Sequence, residues 1–223
     1  MIMKVLAING SPRKKWNTAM LLENALEGAA SLGAETELIH LYDLAYTGCT
    51  SCFACKQKDG KSYGKCAVND GLAPVLEKIP EVDALILGSP IYFGTVSGQM
   101  RSFMERLFFP YRTYTKPPRS LFGKKIPTAF IYTMNVSEKQ MKEYNYTVHT
   151  AQNESLLNHT FGHSETLCCY ETLQFPDYSK VVFSYFNPEK RKERRKTVFP
   201  KDCEKAFDLG VRLGRASLFE PYE

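Results

Sequence analysis

The chain has no long hydrophobic run. Nowhere in its 223 residues does an apolar stretch approach the length of about 18 residues that a membrane-spanning helix needs. The opening segment, MIMKVLAING, has too short an apolar run for a secretory signal peptide. We therefore expect a cytoplasmic protein with no membrane partner. In that reducing compartment, the seven cysteines are expected to serve metal binding, redox chemistry or core packing rather than a disulfide framework.

Two nucleotide-binding motifs are also missing. Neither G-x-x-x-x-G-K-[ST] nor G-x-G-x-x-G occurs, which argues against a P-loop nucleotide triphosphatase and against a dinucleotide fold of the usual kind. No acidic ribose-binding fingerprint is present, so NADH and NADPH both remain candidate reductants. Among charged segments, residues 190–196 (KRKERRK) carry much of the net charge of +5 but contain no aromatic residues. This absence favours a solvated helix face or loop over a nucleic-acid site.

The rest of the composition is typical of a globular protein, with 43% hydrophobic and 24% charged residues. No internal repeat, low-complexity segment or linker divides the chain, so we expect one domain over residues 1–223. Apolar or alternating stretches predict five strands at residues 5–8, 35–41, 82–87, 125–133 and 165–173. Helical patterns alternate with them at residues 18–32, 70–79, 98–107, 137–158 and 202–218, while residues 43–69 and 175–199 read as irregular. This alternation predicts a parallel sheet with helices on both faces.

The prediction of a binding site starts from residues 4–18, KVLAINGSPRKKWNT. A buried strand ends at Asn9 and Gly10, and Asn17 or Thr18 is suited to cap the next helix. A tight polar loop between a strand and a helix start presents backbone N–H groups to an anion, so this loop is a candidate phosphate site. The alternative is an ordinary turn with a helix cap. Residues 88–94 (GSPIYFG) and 134–135 follow two other strands, and parallel strands bring such loops to one edge of the sheet.

Three motifs together carry a resemblance: GSPRKKWNT, GCTSCFACK and GSPIYFGTVSGQMRSFMERL. Over roughly the first 135 residues, the sequence resembles the flavodoxin-like NADPH-dependent FMN reductases, and specifically their iron–sulfur flavoprotein branch. The resemblance implies a flavodoxin-like, doubly wound, five-stranded parallel sheet in the order 2-1-3-4-5. It also implies dimers or tetramers that complete the flavin pocket. A run of aromatic residues after the third strand is expected either to pack in the core of one chain or to form the contact between subunits. These residues are Phe108, Phe109, Tyr111 and Tyr114.

Residue by residue, the resemblance implies an FMN site. The phosphate would be held by Ser11, Arg13, Asn17 and Thr18. The isoalloxazine ring would be lined by Ser89, Pro90, Ile91, Tyr92, Phe93 and Gly94 on one side and by Thr133, Met134 and Asn135 on the other. Tyr92 and Phe93 are candidates for stacking on the ring, or for packing in the core.

The cysteine-rich loop holds Cys49, Cys52 and Cys55 at C-x2-C-x2-C spacing, and Cys66 follows after ten further residues. Iron–sulfur flavoproteins use such a pattern for a 4Fe–4S cluster, although their last gap is shorter. Zinc, a redox-active dithiol and unliganded thiols are the alternatives. The remaining cysteines, Cys168, Cys169 and Cys203, are expected to pack in the core. Cys168 and Cys169 should point to opposite faces of a strand.

These features predict an FMN-dependent oxidoreductase that takes hydride from NAD(P)H and passes electrons to a small-molecule or protein acceptor. No protein acid or base is required for hydride transfer, so no catalytic side chain is predicted. A non-catalytic flavodoxin-type or iron–sulfur electron carrier is the alternative. A metal- or redox-sensing protein built on the cysteine loop is a third.

Overall fold

A computed structural model describes residues 2–216. Its strands are β1 (Lys4–Asn9), β2 (Glu35–His40), β3 (Ala84–Tyr92), β4 (Thr95–Val96), β5 (Ile126–Thr133) and β6 (Gly162–Cys169). The order is β2-β1-β3-β5-β6, with every neighbouring pair parallel, and the two-residue β4 pairs antiparallel with β3. Counting the five long strands alone, this is the predicted order 2-1-3-4-5.

The described residues form seven α-helices, of which the last two follow the final strand. They are α1 (Asn17–Ala30), α2 (Ala73–Lys78), α3 (Gly98–Tyr111), α4 (Glu138–Glu143), α5 (Tyr146–Phe161), α6 (Pro188–Thr197) and α7 (Phe199–Ala216). Short 3₁₀ turns lie at Leu41–Asp43, Ala54–Lys56, Ile79–Glu81 and Tyr178–Lys180. Within residues 2–216, no helix is both long and apolar enough to cross a membrane.

Alternate residues of the strands feed two hydrophobic layers. Val5 and Ala7 of β1 face α1 and α7, whereas Leu6 and Ile8 face the layer built by α2, α3 and α5. The helices α1 and α7 approach very closely, since a Cβ on Gly210 would lie 1.8 Å from the backbone oxygen of Ala25. This two-sided burial explains why the central strands read as continuous apolar runs.

Cys168 and Cys169 confirm the expected alternation at β6. Cys168 packs against the α2, α3 and α5 layer, and Cys169 is buried in the α1 and α7 layer. Cys203 is partly buried beside that second layer. The core-packing interpretation of these three thiols is consistent with their positions.

Several predicted boundaries are wrong. The strand predicted at residues 82–87 continues to Tyr92, so most of the predicted loop 88–94 is strand. The helix predicted at residues 98–107 continues to Tyr111, and residues 188–197, predicted as irregular, form α6. The last strand runs over Gly162–Cys169 rather than residues 165–173. The last helix begins at Phe199 rather than residue 202, while residues 217 and 218 of its predicted span lie outside the described residues.

Candidate functional site

A cleft opens at the carboxyl edge of the sheet, where β1, β3, β5 and β6 end. Its volume is about 100 Å³. The predicted residues that line it are Ser11, Arg13, Asn17, Thr18, Pro90, Ile91, Tyr92, Thr133, Met134 and Asn135. Ser89, Phe93 and Gly94, which are predicted to line the flavin ring, are not among the residues that line this cleft. The segments that follow β1, β3 and β5 are far apart in sequence, but they lie together because the carboxyl ends of parallel strands meet at one edge of the sheet.

The loop after β1 is held tightly by its own polar atoms. The Ser11 backbone N–H donates to Oδ1 of Asn9 at 2.9 Å, and Oγ of Ser11 accepts from the Arg13 backbone N–H at 3.1 Å. Gly10 donates to the Gly88 carbonyl at 2.8 Å and accepts from the Ser97 hydroxyl at 2.6 Å. A Cβ on Gly10 would lie 2.7 Å from Cβ of Met100, so only glycine fits this approach of loop to helix.

The helix start at this loop differs from the prediction. The N-cap is Trp16, not Asn17 or Thr18, and its side chain makes no capping hydrogen bond. The first turn of α1 contains no acidic residue. Since the first N–H groups of a helix have no acceptor within the helix, this buried, uncapped end carries positive partial charge suited to a phosphate.

The side chains of Asn17 and Thr18 join the walls of the cleft. Nδ2 of Asn17 donates to the Leu173 carbonyl at 2.9 Å, and the hydroxyls of Thr18 and Thr133 lie 2.8 Å apart. Both residues are at least nine-tenths buried. Their side chains fix the relative positions of the loops after β1, β5 and β6, and the backbone N–H groups at the start of α1 have no side-chain cap.

The β3 end of the cleft is a short hairpin rather than a loop. Ile91 and Tyr92 pair with Val96 and Thr95, and Phe93 and Gly94 form the turn with positive φ angles of 50° and 86°. Tyr92 is 43% exposed and Phe93 fully exposed, so neither packs in the core.

Ser89 has a structural role in this hairpin. It is fully buried, donates its hydroxyl to the Pro90 carbonyl and accepts from the Ser97 backbone N–H at 3.0 Å. Ser89 therefore braces the end of β3 against the start of α3, behind the cleft surface.

Four residues of the cleft were missed in the sequence: Trp16, Thr172, Leu173 and Gln174. The last three follow β6, which ends earlier than predicted, so the same edge rule would have found them with the correct boundary. Trp16 donates its indole N–H to the Leu173 carbonyl at 2.9 Å, and Asn135 donates to Oε1 of Gln174 at the same distance.

One cleft atom is left without a partner. Oδ1 of Asn135 is buried and accepts no hydrogen bond from the described residues. A buried acceptor of this kind is stabilised when a ligand supplies an N–H or O–H group. A flavin offers both kinds of donor, on its ring and on its ribityl chain, so the cleft fits FMN at its anion-binding end and at this acceptor.

The four cysteines of the loop between β2 and α2 line one small pocket of about 20 Å³. Cys49 and Cys52 are exposed, Cys66 is partly buried and Cys55 is buried, which raises the pKa of its thiol. Within residues 2–216, no group of three or more cysteine, histidine or acidic side chains is arranged to hold a metal ion. The thiols thus share one pocket and supply the donor chemistry of a cluster, without metal-binding geometry.

Arg106 of α3 secures the far end of this loop. Its side chain is fully buried and donates to Sγ of Cys66 at 3.3 Å, to Oδ2 of Asp70 at 2.5 Å and to the carbonyls of Thr47 and Val68 at 3.2 and 3.0 Å. These bonds hold the residues on both sides of the long gap against one helix. The gap of ten residues between Cys55 and Cys66 therefore does not prevent Cys66 from joining the other three cysteines.

Lys56 secures the middle of the loop. Its ammonium donates to the carbonyls of Phe109, Pro110 and Arg112 at the end of α3, the Pro110 bond being 2.9 Å. The ammonium also lies 4.8 Å from the centre of the Phe109 ring. Burial lowers the pKa of Lys56, while the last carbonyls of a helix favour a cation. The cysteine loop is thus attached to both the middle and the end of α3.

The chain matches a known protein family and several characterised sequences. The sequence profile of the family described as NADPH-dependent FMN reductase matches residues 3–149. An iron–sulfur flavoprotein of Methanocaldococcus jannaschii is 44% identical over 104 residues, which is 47% of this chain and 51% of that protein. One from Archaeoglobus fulgidus is also 44% identical over 104 residues, covering 47% of this chain and 48% of the relative. The chain therefore matches about half the length of these curated relatives.

Solved structures show the same fold. An NAD(P)H:quinone oxidoreductase from Methanothermobacter marburgensis superposes with a TM-score of 0.70 at 13% identity, covering 96% of this chain and all of that one. An azoreductase from Bacillus anthracis gives a TM-score of 0.66 at 16% identity, over 95% of this chain and all of its own. From its profile match, its flavodoxin-like sheet and its iron–sulfur flavoprotein relatives, the chain belongs to the NADPH-dependent FMN reductase family.

Proposed function

We propose that this protein is an FMN-dependent oxidoreductase that accepts hydride from NAD(P)H and passes electrons to a small-molecule or protein acceptor. The observation that carries the proposal is the uncapped start of α1, which lies in a cleft built from the predicted flavin residues. Bound FMN would supply the redox chemistry, as flavins do in this family. The chain's own residues bind and orient it, so no catalytic acid or base is assigned.

The residues that line the cleft fall into groups that suit different parts of FMN. Ser11, Arg13 and the first turn of α1 offer the polar and positively charged groups that suit a phosphate. Thr133, Met134 and Asn135 form a wall of the cleft with one unpaired acceptor, Oδ1 of Asn135, which suits a donor on the flavin ring or its hydroxyl chain. Tyr92 adds an aromatic face at the open side of the cleft, and burial raises the pKa of its phenol, so it stays protonated at neutral pH.

Replacing both Asn17 and Thr18 by alanine tests this site. The two side chains connect the loop walls around the start of α1, and each such hydrogen bond contributes about 0.5–1.5 kcal/mol. Losing both links should loosen the cleft, so FMN affinity should fall about tenfold or more. Glu23→Ala, at an exposed position of the same helix, is the control. Unchanged FMN binding by the double variant in a fluorescence titration would exclude this cleft as the phosphate site.

Steady-state oxidation of NADPH by the FMN-loaded protein separates an enzyme from a carrier. An oxidoreductase turns over with added quinone, nitro or azo acceptors. Negligible turnover without a partner reductase would favour a flavodoxin-type electron carrier and overturn the enzymatic part of the proposal.

We also propose that Cys49, Cys52, Cys55 and Cys66 hold a 4Fe–4S cluster. The support is that all four line one pocket and that Arg106 holds Cys66 there. Anaerobic protein should then contain about four iron and four sulfide per chain. Cys66→Ser should lose the cluster while FMN remains bound, because the cleft is separate. Protein that shows only flavin absorption after reconstitution with iron and sulfide would contradict the cluster.

A further inference from the structure

The basic segment 190–196 is not simply a solvated helix face. It lies on α6, beyond the residues that the family profile matches. Arg191 and Arg195, four residues apart, share one face of the helix and point toward the cleft loops. Arg191 is 5% exposed and donates to the backbone carbonyl of Asn135 at 2.9 Å while pairing with Glu171 at 2.9 Å. This arginine holds the loop after β5.

Arg195 holds the loop after β1. Its guanidinium donates to Oδ1 of Asn17 at 2.8 Å and to Sδ of Met20 at 2.9 Å. It also packs over the rings of Trp16 and Phe199, at 5.7 and 3.9 Å from their centres. Asn17 is the first residue of α1, so a positive charge stands directly behind the anion-binding helix start.

The charge of Arg195 lacks a counter-ion. Arg191 pairs with Glu171 and Arg194 with Asp202, whereas across residues 2–216 no carboxylate oxygen comes within 4.0 Å of Arg195. An arginine stays protonated in a protein, and a partly buried, unpaired charge is unfavourable until an anion approaches. The structure therefore keeps a positive charge uncompensated beside the cleft.

We propose that Arg195 is a positioning residue that makes this cleft select a phosphorylated flavin over an unphosphorylated one, with α6 acting as a clamp on two of the cleft loops. The proposal rests on the FMN site proposed above and assigns it a determinant outside the family's matched region. Arg195 acts through Asn17 and through its charge, without itself lining the cleft. It should therefore affect recognition of the phosphate rather than of the ring.

The test compares FMN with riboflavin, which differ only in the phosphate. Dissociation constants for both are measured by fluorescence titration on the wild type, Arg195→Gln, Arg195→Lys and Lys196→Gln. Lys196 is exposed on the same helix and gives the matched charge control. Arg195→Gln should weaken FMN about tenfold, because a positive charge near the phosphate is lost, while riboflavin, which has no phosphate, changes less than twofold. Arg195→Lys should retain most of the preference, and Lys196→Gln should match the wild type.

The salt dependence of the two flavin affinities is a second measurement, and it does not require the variants to be equally stable. Wild-type affinity for FMN should fall with added salt more steeply than affinity for riboflavin, and Arg195→Gln should reduce that difference. Equal weakening of both flavins by Arg195→Gln, or no weakening of either, would overturn the role of Arg195 while leaving the FMN site intact. A wild-type chain that binds neither flavin would instead overturn the proposed function, and the clamp with it.

Discussion

Arg106 shows how one side chain can organise a long irregular segment. A fully buried guanidinium is unfavourable unless all its donors are used and its charge is paired. Here its donors reach the Asp70 carboxylate, the Cys66 sulfur and two carbonyls of the cysteine loop. The long loop thus gains a fixed anchor that its own sequence, rich in glycine and lysine, does not provide.

Replacing Arg106 by methionine should destabilise the protein by about 3 kcal/mol, because it leaves a carboxylate and two carbonyls without their partner. Urea denaturation measures this change. Arg101→Met on the same helix is the control, since Arg101 is largely exposed and its pair with Glu105 at 3.3 Å should contribute under about 1 kcal/mol. Equal effects of the two substitutions would show that Arg106 is not an anchor.

The carboxyl of Asp70 should make stability depend on pH. Burial alone would raise its pKa, but the hydrogen bond and charge of Arg106 outweigh burial and lower it below the usual value. A lowered folded-state pKa contributes stability above the unfolded pKa of about 3.9, and this contribution disappears as pH falls through the folded value. The difference in urea midpoint between wild type and Asp70→Asn should therefore shrink below about pH 4. Asp59→Asn, at an exposed position of the cysteine-rich loop, is the control.

Most residues that line the cleft can be predicted from the sequence, but the side chains and carbonyls to which they hydrogen-bond cannot. The position of Asn17 after a strand and a polar loop is enough to predict that it lies at the carboxyl edge of the sheet, where it lines the cleft. Its bonds to Leu173 and Arg195 join residues more than 150 positions apart, and no local pattern encodes them. Arg106 was hidden for the same reason, since its partner Asp70 comes from another element.

At the scale of elements, the β3–β4 hairpin depends on one glycine. Gly94 has φ of 86°, and a Cβ there would lie 2.9 Å from the ring of Tyr146. Gly94→Ala should therefore destabilise the protein by about 1 kcal/mol or more, and should weaken flavin binding, because Tyr92 belongs to the same hairpin. Gly98→Ala, at the start of α3 with open space around it, should be neutral or stabilising by up to about 1 kcal/mol. Thermal denaturation of both variants checks the contrast.

Element boundaries were predictable where burial alone decides them. Residues 5–8 and 82–87 are apolar because helices cover both faces of the sheet, so their strands were recognised. Residues 88–92 contain Gly, Ser and Pro, which usually end a strand, yet pairing with β5 and with β4 extends β3 through them. The helix α6 was missed because its sequence is almost entirely charged, and its inward arginines give no apolar periodicity.

At the scale of the molecule, the cleft is too small to enclose FMN. Its volume of about 100 Å³ compares with roughly 300 Å³ or more for typical small-molecule sites, and Tyr92 and Phe93 are exposed beside it. We therefore propose that a second copy of the chain covers part of the flavin. The predicted aromatic residues are split, with Phe108 buried in the core and Tyr114 70% exposed.

Light scattering should give a mass that is a multiple of 25.4 kDa, as a dimer or tetramer. A groove of about 450 Å³ beside the cysteine loop, lined by Phe53, Phe109 and Tyr114, is the candidate contact. Phe53→Glu should lower the measured mass, whereas Val182→Glu, at a fully exposed position outside this groove, should not. A monomer that retains full FMN affinity and turnover would contradict the assembly.

The adjacent Cys168 and Cys169 report separately on the two hydrophobic layers of the protein, because their side chains lie on opposite faces of the sheet. Cys169 is 1% exposed and donates to Asp202 of α7 at 3.0 Å, while Cys168 packs toward α2, α3 and α5, where burial raises its pKa to about 11. The buried thiol of Cys169 is unreactive until its helical layer separates from the sheet, and the raised pKa of the partly buried Cys168 slows its reaction until its own layer separates. Pulsed alkylation during unfolding, read by mass spectrometry, would thus time the opening of each layer from native residues, without any introduced probe.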